Sequence, residues 1–168
     1  MSYVGSAFVW WIEPKIFVPS RADSLLAPTH CLTAVKEDFK VDYVFTKRLD
    51  ISFDQAIDLV VAGLKKEGFG ILTEIDVKAT LKKKLDVDFR NYRILGACNP
   101  PYAHKALLAE PWIGSMLPCN VIVQEFDDGT VEVGAVNPIS SMQAVDNPEL
   151  GEVAMEIQSK LQRVINRL

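Results

Sequence analysis

Ser52-Phe53-Asp54-Gln55-Ala56-Ile57-Asp58-Leu59-Val60-Val61-Ala62-Gly63-Leu64-Lys65-Lys66-Glu67-Gly68-Phe69-Gly70-Ile71-Leu72-Thr73-Glu74-Ile75 is the stretch on which the fold turns. Ser52 with Gln55 three residues later is a capping-box pattern, in which each residue's side chain satisfies the other's backbone N–H. Phe53, Ala56, Ile57, Val60 and Leu64 recur at helical spacing and form one apolar stripe. Gly68 supplies a left-handed stop, and Phe69 to Ile75 reads as a strand. A helix with one apolar face followed at once by a strand needs a sheet to pack on.

The neighbouring segments supply that sheet. Upstream, Asp42 to Lys47 reads as the first strand, with Tyr43 and Phe45 on one face and Val44 and Thr46 on the other. Downstream, Asp76 caps a short helix on which Val77, Leu81 and Leu85 share a face. Lys82, Lys83 and Lys84 sit at its C-terminal end, where cations suit the helix dipole. The lysine run is either a solvated helix end or a docking patch for an anionic partner. Tyr92 to Cys98 is the third strand and leaves through Asn99-Pro100-Pro101. Tyr102 to Glu110 reads as a helix stopped by Pro111. Cys119 to Phe126 and Thr130 to Val136 are the fourth and fifth strands, joined by the turn Asp127-Asp128-Gly129. Asn147, with Pro148 at the first helical position, opens a final helix. Its stripe is Leu150, Val153, Ala154, Ile157, Leu161, Val164, Ile165 and Leu168.

From Val41 the order is therefore strand, helix, four strands, helix, with small helices before and after the third strand. The expected fold is a two-layer α+β sandwich: a mostly antiparallel five-stranded sheet with two long helices on one face. Residues 41–168 form one domain in this reading. Residues 1–40, with Pro14, Pro19 and Pro28 and no sustained period, form an irregular N-terminal extension.

Composition agrees. The chain has 168 residues, 49% hydrophobic and 24% charged, which excludes wholesale disorder and collagen-like chains. A net charge of −4 argues against a sequence-independent nucleic-acid binder. No apolar run approaches the ~20 residues of a membrane helix. Residues 1–12 hold no Lys or Arg, so no secretory signal is read. Three cysteines without a CxxC fit neither a disulfide scaffold nor a zinc finger, and a reducing, cytoplasmic location is expected.

Catalytic signatures are missing: no GxGxxG, P-loop, GxSxG or HExxH motif occurs. His30 and His104 are too few for a three-histidine zinc site, and no metal or cofactor is implied. The informative stretch runs from Gly96 to Asn120. Cys98 ends one strand and Cys119 begins the next, so antiparallel pairing brings Cys98, Asn99, Cys119 and Asn120 to one end of the sheet. Gly96 permits close approach by a ligand or another strand. The thiols read three ways: packed core sulfurs, a redox or sulfur-accepting pair helped by His104 or Lys105, or the wall of a pocket in which asparagines and backbone touch a ligand. Trp112 reads as a lid over the core rather than an exposed contact. Trp10 and Trp11 dock on the domain, meet a partner or lie outside the natural fold.

Asp42-Tyr43-Val44-Phe45, Tyr92-Arg93-Ile94-Leu95-Gly96-Ala97-Cys98-Asn99-Pro100 and Leu117-Pro118-Cys119-Asn120-Val121 resemble the conserved bacterial and archaeal family called domain of unknown function 302. The resemblance spans about Val41 to Leu168. It implies a β-α-β4-α two-layer fold, related in outline to the TATA-binding-protein-like fold, and a homodimer. It implies no activity, and likeness to a DNA-binding fold does not imply DNA binding. Family members begin near Val41. The forty preceding residues are thus either a mis-assigned start or a lineage-specific arm, which an intact-mass measurement of the native protein separates.

Three functions follow as expectations. The leading one is a small cytoplasmic homodimeric domain that binds a small molecule or protein partner without catalysis of its own. The second is a thiol-dependent redox or sulfur-transfer protein using Cys98 and Cys119. The third is dimerisation itself, through the final helix and the lysine-rich helix.

Overall fold

The computed structural model describes residues 43–168. The extension 1–40, the boundary at Val41, His30, Cys31, Trp10 and Trp11 lie outside the described residues.

β1 (Val44–Leu49), β2 (Gly70–Asp76), β3 (Tyr92–Cys98), β4 (Cys119–Glu125) and β5 (Val131–Val136) form one sheet in the order β1-β5-β4-β3-β2. Every pairing is antiparallel. The architecture is the expected α+β one. The first strand starts at Val44 rather than Asp42, because Tyr43 belongs to the preceding turn and is 67% exposed.

α1 (Phe53–Lys66) starts at the expected capping box: Ser52 Oγ accepts from Gln55 N, and Gln55 Oε1 accepts from Ser52 N at 3.2 Å. It ends where Gly68 takes φ +85°, a conformation that costs glycine little and other residues more. Ala56, Val60 and Leu64 are fully buried. α5 (Glu149–Arg167) buries Leu150, Val153, Ala154, Ile157, Leu161, Val164 and Ile165. It begins after Pro148, with Asn147 Oδ1 accepting from Glu149 N at 3.0 Å. Both helices pack on one sheet face, where Leu95, Ala97, Val121, Val123, Val133 and Ala135 close the core.

The connecting helices are smaller. α2 (Val77–Leu85) is capped by Asp76 as read, and buries no residue completely. α3 (Pro100–Ala109) starts two residues earlier than Tyr102, because its two prolines occupy the first turn, where no N–H is needed. A 3-10 turn (Ile113–Met116) follows. α4 (Pro138–Met142) is a five-residue turn of helix after Asn137 that carries too few residues for a periodic signal. Trp112 corrects the lid reading: it is 83% exposed, and its neighbour Ile113 fills the core instead, 1% exposed.

No helix among the described residues is long and apolar enough to cross a membrane.

Gly96 is fixed by its surroundings. It pairs with Thr73 on β2 and Asn120 on β4. A Cβ placed there would lie 2.2 Å from Thr73 Oγ1 and 2.7 Å from Pro118 Cγ. Of the two approaches open to it in sequence, the neighbouring strand's side chain makes the contact. Gly96→Ala is expected to reduce unfolding free energy by about 1–3 kcal/mol through overpacking. The readout is a lower urea midpoint at unchanged slope, and an unmoved midpoint would contradict the close packing.

Candidate functional site

Antiparallel pairing of β3 and β4 sets Ala97 opposite Cys119, and the β2 register sets Cys98 opposite Gly70. Cys98, Asn99 and Cys119 therefore gather at one end of the sheet under α3 and α5. They line a cavity with Phe69, Tyr102 and Leu117. Its volume is about 20 Å³, room for one water and no larger ligand. Asn120 is not in this group: it follows Cys119 in a strand, so it faces the other side of the sheet and is exposed. His104 is exposed on α3 and does not line the cavity.

Both described thiols are free. Burial raises the Cys98 thiol above its usual value. Burial, and secondarily the neighbouring Cys98, push the Cys119 thiol up to about 11. A raised thiol is a poor nucleophile and a poor metal ligand at neutral pH. Among the described residues no group of His, Cys, Asp and Glu is arranged to hold a metal ion.

Asn99 is the buried polar residue of this end, 7% exposed. Its Nδ2 donates to the carbonyl of Glu67 at 3.3 Å, and Lys160 Nζ donates to the same oxygen at 3.4 Å. Glu67 is the C-cap of α1. Its carboxylate, 11% exposed, accepts from Arg163 Nη2 at 3.0 Å and Arg167 Nη1 at 2.8 Å. The arrangement satisfies an orphan helix carbonyl and ties α1 to α5. In sequence, Asn99 points to a ligand contact and Glu67 carries no signal. The partners lie 32 to 100 positions apart, so no local spacing signals them.

Two other surfaces escaped the sequence reading as sites. At the opposite end of the sheet, Ser52, Asp54, Asp76, Asn91, Arg93 and Glu125 surround an open polar cleft of about 350 Å³. Arg93 there pairs with Glu74, and with Asp76 at 3.3 Å. The second surface is the sheet's outer face, turned away from α1 and α5. Thr46, Gly134, Ile122, Ile94 and Ile75 are successive register partners, so one row crosses all five strands. Ile75 is 45% exposed, and Ile94 and Ile122 are half-buried. Period-2 alternation in each strand was legible. The cross-strand row needs the register.

Comparison with known proteins places this geometry. A family model described as domain of unknown function DUF302 matches residues 45–168. An uncharacterized protein of Aquifex aeolicus (strain VF5) is 27% identical over 110 residues, covering 55% of this chain and 75% of that protein. The crystal structure of an uncharacterized conserved protein DUF302 from Bacillus stearothermophilus superposes with a TM-score of 0.69 at 29% identity. That match covers 74% of this chain and 97% of that one.

Two outcomes are expected. With a small maleimide at pH 7, Cys98 should react slowly and Cys119 only as fast as the protein opens. Rapid labelling of Cys119 in the folded protein would refute its burial. The second concerns Glu67, whose carboxyl is held below its usual value of 4.5 by the Arg163 hydrogen bond, with burial opposing and the fields of Arg163, Arg167 and Lys160 assisting. A lowered folded-state value adds stability above the unfolded value and loses it as pH falls through the folded one. Glu67→Gln should therefore cost about 1 kcal/mol at pH 7. The gap to the native chain should close as pH is lowered below 4.5. A constant gap would place the cost elsewhere.

Proposed function

The chain belongs to the DUF302 family, and on that premise we propose that its domain works by association without catalysis of its own, as a homodimer joined through the outer face of the sheet. One observation carries the reading: three isoleucines in register, Ile122, Ile94 and Ile75, lie side by side on β4, β3 and β2, on the side that α1 and α5 leave uncovered. Exposed contiguous apolar surface marks interaction sites. A two-fold interface sets one patch against itself, so the patch must suit its own copy.

Charge on this face meets that condition. Arg48 pairs with Glu132 at 3.6 Å. Arg90 lies against Gln124 at 2.9 Å and over the rings of Phe89, Tyr92 and Phe126. The Arg48–Glu132 pair offers one charge of each sign, so a two-fold can set each against its opposite on the other copy. The small cavity beside Cys98 and Cys119 supports this reading over a small-molecule site at the thiol end, and the raised thiols support it over redox or sulfur transfer there.

Sedimentation at tens of micromolar is expected to give twice the chain's own mass. Ile122→Glu should give the single-chain mass, with an unchanged far-ultraviolet circular dichroism spectrum. A monomeric native chain, or a dimeric variant, would overturn the proposal.

A further inference from the structure

α2 is the one helix of eight or more residues among those described that buries no side chain completely. Its stripe repeats every fourth residue. Val77 and Leu81 are half-buried and Leu85 is 66% exposed. The same ribbon leaves Leu72 65% and Ile75 45% exposed on β2, and Val87 44% exposed just past α2. Leu72 is the extra residue where the β2–β3 register shifts, so it has no partner in the ladder. A lone exposed leucine is ordinary, but Leu72, Ile75, Leu85 and Val87 are all exposed within sixteen residues, and Ile75 is itself part of the outer row.

Charge marks the same helix. Lys82 bridges Asp86 at 2.9 Å and Asp88 at 3.3 Å. Lys83 and Lys84 are exposed and make no ion pair among the described residues. Across the sheet end, Asp50, Asp54, Asp127 and Asp128 are exposed on the β1–α1 turn, the first turn of α1 and the β4–β5 hairpin. Asp128 is held in its charged form by hydrogen bonds from Thr130. Basic helix and acidic sheet end are thus complementary surfaces of one chain, the condition for a contact that a two-fold repeats twice. The helix is shorter than the sheet is wide. Nine residues of helix span about 13 Å, and five strands span about 19 Å.

Resting on the homodimer reading, we infer that α2 is the dimer clamp. The Leu81–Leu85 end of its stripe flanks the paired outer rows on a second copy of this chain, while Lys83 and Lys84 meet that copy's Asp50, Asp127 and Asp128. Val77 and Leu81 anchor α2 on its own chain, and Leu85 at its free end is left exposed.

Sedimentation and thermal unfolding of Leu81→Ser/Leu85→Ser and Lys83→Glu/Lys84→Glu, beside Ile122→Glu, test this with the full chain. The serine pair should weaken dimerisation about 100-fold. The glutamate pair should weaken it about 10-fold at low salt and less at high salt. Both should keep the circular dichroism spectrum, since these positions carry no core. Dimers unaffected by both α2 pairs, but split by Ile122→Glu, would overturn the clamp and leave the sheet-face interface standing. A native monomer, or dimers that survive all three changes, would overturn both. If the serine pair unfolds the chain, the surface-only glutamate pair decides.

Discussion

Two amphipathic helices cover one face of a five-stranded sheet, and the rest of the structure depends on that one-sided burial. Leu64, Val60, Leu161 and Val164 interlock with Leu95, Val121, Val123 and Val133 at almost no exposure. Each such side chain contributes roughly 1.5–3 kcal/mol of burial, so the two stripes dominate the folding energy. A 19-residue α5 is about 28 Å long, enough to span the sheet. The same economy leaves the second face without a helix layer.

The polar contacts hold the helices in place over that core. Glu67 receives Arg163 and Arg167 on its carboxylate, and Asn99 and Lys160 on its carbonyl. The C-terminus of α1, the start of α3 and the last turns of α5 are therefore joined at one residue. Asn99 sits at the thiol end because the helix carbonyl needs a donor there. The thiols sit there because their strands begin and end there. The cavity between them has room for one water. Burial raises both thiols, Cys119 in the core more than the half-buried Cys98.

The sequence resolved much of this and misjudged some of it. Ser52 with Gln55, Gly68, Asp76 and the Asp127-Asp128-Gly129 turn each act through neighbours within a few positions, and each appears in the structure as read. The short α4 and the early start of α3 lacked enough periodic residues to be seen. Trp112 stands exposed at the N-cap of the 3-10 turn, and Ile113, the first residue inside it, takes the core position. For the thiol end, strand order was enough to bring Cys98 near Cys119. The alternation that sends Asn120 to the other face was equally available, though the reading grouped it with the thiols.

What the chain alone determined, then, is everything governed by spacing of 2, 3.6 or a few residues: the elements, their apolar faces, the α+β class and the antiparallel meeting of β3 with β4. Tertiary structure decided which elements share an edge, that β1 joins β5 rather than β2, and how residues up to 100 positions apart meet at Glu67. It also decided that Thr46, Gly134, Ile122, Ile94 and Ile75 form one row. The physical reason is that local patterns fix which side of a strand is apolar, whereas register between strands is set by packing across the whole sheet.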